Sequence, residues 1–99
     1  MKFDKEIFLK TELGMNLTDC IKSWDNALCT TSRYRGCATF RDEYRRAKEV
    51  LSWCQAQWEV YQLLFKQFYK LDCHFSRTDE YFGIVTDDNA FLIKYEREV

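Results

Sequence analysis

From Thr39 to Leu71 the apolar and polar positions follow one rule. Phe40, Tyr44, Ala47, Leu51, Cys54, Trp58, Tyr61, Phe65 and Phe68 recur at alternating steps of four and three. That spacing is the heptad seam of a single long α-helix. Thr39 and Asp42 form a helix start signal, with the Thr39 hydroxyl available to cap a free backbone N–H. Asp42 and Glu43 suit the positive end of the helix dipole, and Lys66 and Lys70 suit the other end. In the first third, Glu43 and Arg46 flank the seam, so this part is expected to be exposed. From Val50 onward a second stripe joins, Val50, Trp53, Val60 and Leu64, and predicts burial over a wide face. A helix of about 31 residues runs roughly 46 Å, whereas a compact chain of this size is only about 33 Å across. The helix must therefore project, bend or be covered by a second copy.

Before it, Met1–Leu13 reads as a short amphipathic helix. Asp4 caps it, Phe3, Ile7, Phe8 and Leu13 form one face, and Gly14 stops it; a strand at Ile7–Lys10 is the alternative. Thr18 starts a second short helix, Asp19–Cys29, with Ile21, Trp24, Ala27 and Leu28 inward. Thr30–Cys37 is polar, contains Gly36 and reads as a loop. After Leu71 the period changes to two. Cys73–Arg77, Tyr81–Thr86 and Phe91–Glu96 are rich in β-branched and aromatic residues, and two acidic turns separate them. They predict a three-stranded antiparallel meander, with Phe91, Ile93 and Tyr95 as its core-facing set. The expected architecture is α+β in one domain: two short N-terminal helices, one long central helix and a C-terminal three-stranded antiparallel sheet.

Composition refines this. The 99 residues include three Trp, six Tyr and eight Phe but no Pro, and the formal net charge is −1. No whole-chain field points to nucleic acid or membrane. The charge is uneven, however. Between residues 33 and 48, Arg33, Arg35, Arg41, Arg45, Arg46 and Lys48 face only Asp42 and Glu43, whereas the charged residues from 72 to 99 are mostly acidic. The charged start, Lys2 to Lys10, leaves no room for a signal-peptide core, and no apolar run approaches a membrane span. A cytoplasmic protein with reduced cysteines is expected.

The candidate chemistry is thin. Cys20, Cys29, Cys37, Cys54, Cys73 and His74 lack the paired spacing of a structural zinc site, and adjacent Cys73 and His74 point to opposite faces of a strand. No phosphate loop, H-E-x-x-H or G-x-S-x-G is present. Asp79/Glu80 and Asp87/Asp88 fall in turns, where acids are solvated. No enzyme activity, cofactor or metal is expected. The leading expectation is a small non-enzymatic interaction protein that binds a protein partner with an acidic face, with inhibition of that partner as one form the binding could take. Small accessory proteins of phages and mobile elements act in this way, and that comparison is by analogy alone. Arg33, Tyr34, Arg35, Arg41, Tyr44 and Arg45 are the candidate partner-binding residues, because arginine and tyrosine bury area while keeping polar handles. A nucleic-acid or anion binder working through residues 33–48 is the alternative. The long seam also makes a homodimer an expectation, held nearly level with a monomer.

Overall fold

The computed structural model describes residues 4–87 and 90–97. In chain order they form α1 (Lys5–Lys10), α2 (Glu12–Tyr34), a 3-10 turn (Ala38–Phe40), α3 (Arg41–Tyr69), and strands β1 (Cys73–Arg77), β2 (Tyr81–Thr86) and β3 (Phe91–Glu96). The fold is α+β. Helices α2 and α3 run side by side as a hairpin, and the sheet, in the order β1-β2-β3 and antiparallel throughout, packs against them. Residues Met1–Phe3, the start of the first expected helix, lie outside the described residues, as do Asp88 and Asn89 of the second acidic turn.

Local chemistry explains the helix starts. Asp4 caps α1, its carboxylate accepting from the backbone N–H groups of Glu6 and Ile7 at 3.0 and 3.3 Å. Thr11 closes α1 and opens α2. Its hydroxyl donates to the Phe8 carbonyl at 2.6 Å and accepts from the Gly14 N–H at 3.1 Å. Gly14 is therefore not the expected stop but part of the first turn of α2. A Cβ there would overlap the Phe8 carbonyl and the Leu9 Cα, so glycine is needed for the close approach of α1's backbone. Nor does Thr18 cap a helix. It lies inside α2 and donates back to the Gly14 carbonyl at 2.9 Å. The second helix is thus 23 residues long rather than about ten, and it absorbs most of the expected Thr30–Cys37 loop.

That extra length answers the question of what covers α3. Helix α2 is long enough to shield the first seam, and Ala47, Cys54, Trp58 and Phe65 are buried within the chain. Cys54, Trp58 and Phe65 join Phe8, Leu17, Cys20, Ile21, Cys73, Ile84 and Leu92 in one core cluster. Aromatic rings knit the layers. Trp24 stacks on Phe75 at 4.5 Å, and Phe8 meets Phe65 edge-on at 5.1 Å. Gln62 hydrogen-bonds the Cys73 carbonyl, and Lys66 pairs with Asp72 at 3.2 Å, which ties the end of α3 to β1.

The second stripe is where the structure departs from expectation. Val50, Trp53 and Val60 are exposed, and Leu64 is half-buried. With helices and sheet forming only two layers, α3 has one side to bury, and the first seam takes it from Ala47 to Phe65, whereas Phe40 and Phe68 at its two ends are exposed.

The sheet carries a bulge where β2 and β3 pair between Ile84 and Val85. Ile84 faces Ile93 while Val85 faces Phe91, so Leu92 is the extra residue. Ile93 and Tyr95 pack against the core as expected. Leu92 is turned inward instead of Phe91, whose ring meets Tyr81 at 5.3 Å beneath the Lys94 ammonium.

Candidate functional site

The chain reverses between α2 and α3 at one end of a molecule 53 Å long. Gly36, at φ 72°, takes the left-handed conformation just past the end of α2, which is the glycine helix stop the loop reading missed. The Cys37 N–H returns to the Tyr34 carbonyl at 3.0 Å. Tyr34 and Phe40 then stack across the turn at 4.5 Å and 23°. Thr39 makes no side-chain cap; Phe40 stands at the N-cap position instead, and α3 starts at Arg41, one residue later than expected. No residue from 28 to 46 is buried, so this tip stands clear of the core.

The turn gathers what lay dispersed along the sequence. Tyr34, Arg41 and Tyr44 line a shallow cleft of about 290 Å³ with Gly36, Cys37 and Ala38. Tyr44 also borders a second cleft, of about 390 Å³, with Arg35, Lys48, Leu51 and Arg77. Arg33 is exposed in the last turn of α2. Arg45 pairs with Asp42 at 3.2 Å, but both side chains are solvated and the pair contributes little. The two residues are i,i+3 neighbours on the helix. Lys48 sits over the Tyr44 ring at 5.7 Å. Lys48 belonged to the basic run but not to the expected binding set, and Arg77 arrives from the sheet with no local signal to announce it.

Below the tip lies a charged cluster that the sequence reading missed altogether. Asp25 is 5% exposed. Its carboxylate accepts from both Nη atoms of Arg97, one of them at 2.9 Å, and from Nε of Arg77 at 3.0 Å. Burial alone would raise the Asp25 pKa. Hydrogen bonds from Arg97 and Arg77, together with their charges, outweigh burial and hold it below its ordinary value. The Cys29 thiol lies 3.7 Å from Arg77 and 3.8 Å from Arg97. The only hint in the sequence is that an aspartate shares the apolar face of α2 with Ile21 and Leu28.

Candidate chemistry elsewhere stays scattered. Among the described residues no three His, Cys, Asp or Glu side chains converge as a metal site would require. All five cysteines are free. Burial pushes the Cys20 and Cys73 thiols up to about 12, with Cys54 adding to the first and Asp72 and Asp87 to the second, which keeps them protonated and poorly nucleophilic. Cys73 points into the core and His74 outward, where it meets Asp87 at 3.4 Å. No helix among the described residues is long and apolar enough to cross a membrane. Comparison with known protein families, with characterised proteins and with solved structures finds no match.

Proposed function

We propose that the chain is a non-enzymatic binding domain whose hairpin tip engages an acidic face of a protein partner. One observation carries this reading: six cationic side chains and three aromatic rings crowd a turn that the rest of the chain leaves uncovered. Arginine and tyrosine at an uncovered, rigidly turned tip can bury area at low entropic cost. A protein partner is favoured over nucleic acid because the net charge is −1 and the sheet end is acidic, which would repel a long polyanion. Nucleic acid remains the second reading, because Tyr34, Phe40 and Tyr44 interleave with the arginines in a way that suits stacked bases.

The test is capture of partners from the source cell, with and without nuclease. Arg33→Glu, Arg35→Glu and Arg45→Glu combined should abolish capture while leaving the circular dichroism and melting temperature near the parent. Capture lost to nuclease moves the assignment to nucleic acid. A folded triple variant that binds with parent affinity places the site elsewhere.

A further inference from the structure

We propose that the outward side of α3 is an antiparallel homodimer interface, a surface that shares only Arg46 with the basic tip. Arg46, Glu49, Trp53, Ala56, Val60, Leu63, Gln67 and Lys70 form a second seam on this helix, with steps alternating three and four, and all eight are exposed. Its middle is apolar and its ends are polar. Trp53 is 60% exposed, Val60 56% and Leu63 67%, and Val50 and Leu64 flank them. Such residues do not sit on a surface without cost. Together they present on the order of 500 Å² of apolar area, at the upper range of patches on monomeric proteins.

A second copy fits because the seam is complementary to itself when reversed. A twofold axis perpendicular to α3 at residue 58 sets Trp53 against Leu63 of the second copy and Ala56 against Val60. It also sets Glu49 against Gln67. Each apolar layer joins a larger residue to a smaller one, and small Ala56 lets the helices approach near the centre. A parallel pair would instead stack Trp53 on Trp53 and Ala56 on Ala56. The area buried, roughly 1,000 Å² over both copies, lies at the low end for specific association, among weak and transient complexes. Two like-charge contacts keep it weak. Arg46 meets Lys70 at the open ends, where solvent screens them, and Glu59 faces its own copy beside the axis. The first seam, which had suggested a homodimer from the sequence, is already covered within the chain from Ala47 to Phe65 and plays no part there.

Sedimentation equilibrium across the micromolar range tests this. The parent mass should rise from one chain to two with concentration. Trp53→Glu or Leu63→Lys alone should weaken association by at least about a hundredfold, as expected for loss of a central anchor. Both substitutions in one chain should restore it to within about tenfold of the parent, because only the antiparallel arrangement puts the new glutamate against the new lysine. The positions are exposed, so circular dichroism should be unchanged. A parent that stays monomeric overturns the proposal, as do single variants that associate like the parent. A double variant no tighter than the singles overturns the antiparallel arrangement. The tip triple variant should dimerise normally, so failure of the tip reading and failure of this one remain distinct.

Discussion

The two ends of the helical hairpin are made from the same two helices and behave as different materials. Toward the sheet, α2 and α3 bury Leu17, Cys20, Ile21, Cys54, Trp58 and Phe65 beneath strands and α1. Toward the turn they bury nothing beyond Ala27 and Ala47. At the tip the rings of Tyr34 and Phe40 stack on each other rather than on a core. The physical lesson concerns where free energy is stored. Apolar burial, the dominant stabilising term, is concentrated at the sheet end. The tip buries little, so few of its residues are held in place by packing. Substitutions should therefore sort by position along the hairpin.

The largest effect is expected at the core. Phe65 is fully buried between Phe8 and Tyr69, with ring centroids 5.1 and 5.2 Å away. Phe65→Ala removes the ring and leaves a cavity between α1 and α3. The expected cost is about 3–5 kcal/mol, a large part of the total for a domain of this size. Urea unfolding measures it. A cost below about 1 kcal/mol would show that the sheet end is no better packed than the tip.

The boundary between the two ends should come next. Asp25→Asn leaves Arg77 and Arg97 facing a neutral amide. Both guanidiniums keep some access to water, so the penalty is discounted from that of a fully buried pair to about 2 kcal/mol. The pH dependence carries a definite sign. The folded pKa of Asp25 is lowered, so its contribution is complete above the unfolded carboxylate value of about 3.9 and is lost as pH falls through the folded value. The stability gap between parent and Asp25→Asn should be flat from neutral pH down to about pH 5 and should narrow below pH 4. A gap unchanged at pH 3 would show that Asp25 acts through shape alone.

The same comparison explains what could be read from the sequence. The three strands fall at the bounds their alternation gives, because a period of two between acidic turns is a local signal. The basic tip was legible for the same reason, since Arg33 to Lys48 are neighbours in the chain. The misses are non-local or ambiguous. Asp25 and Arg97 are 72 residues apart, and only the fold brings them together. The bulge that buries Leu92 instead of Phe91 depends on a register set by β2. Gly14 and Gly36 were read the wrong way round. A glycine can mean a left-handed helix end or a close backbone approach, and composition does not say which. Reading Gly14 as a stop and Gly36 as mere loop shortened α2 at both ends. The exposed face of α3 was misjudged because a wide apolar face signals burial without saying by what.

Gly36 supplies the smallest and sharpest prediction. Its φ of 72° is the only cost a side chain would meet, because a Cβ there touches nothing within 4 Å. Gly36→Ala should therefore cost only the left-handed penalty, about 1 kcal/mol, and lower the melting temperature by several degrees at most. Gly36→Asn should cost less, since asparagine tolerates this conformation. Both variants should keep the Tyr34–Phe40 stack and the core untouched, so unfolding should stay a single transition. A loss at Gly36→Ala approaching that of Phe65→Ala would mean that the turn holds the two helices in register. The tip would then belong to the stability of the fold, and the division between a packed end and an uncovered end would fail.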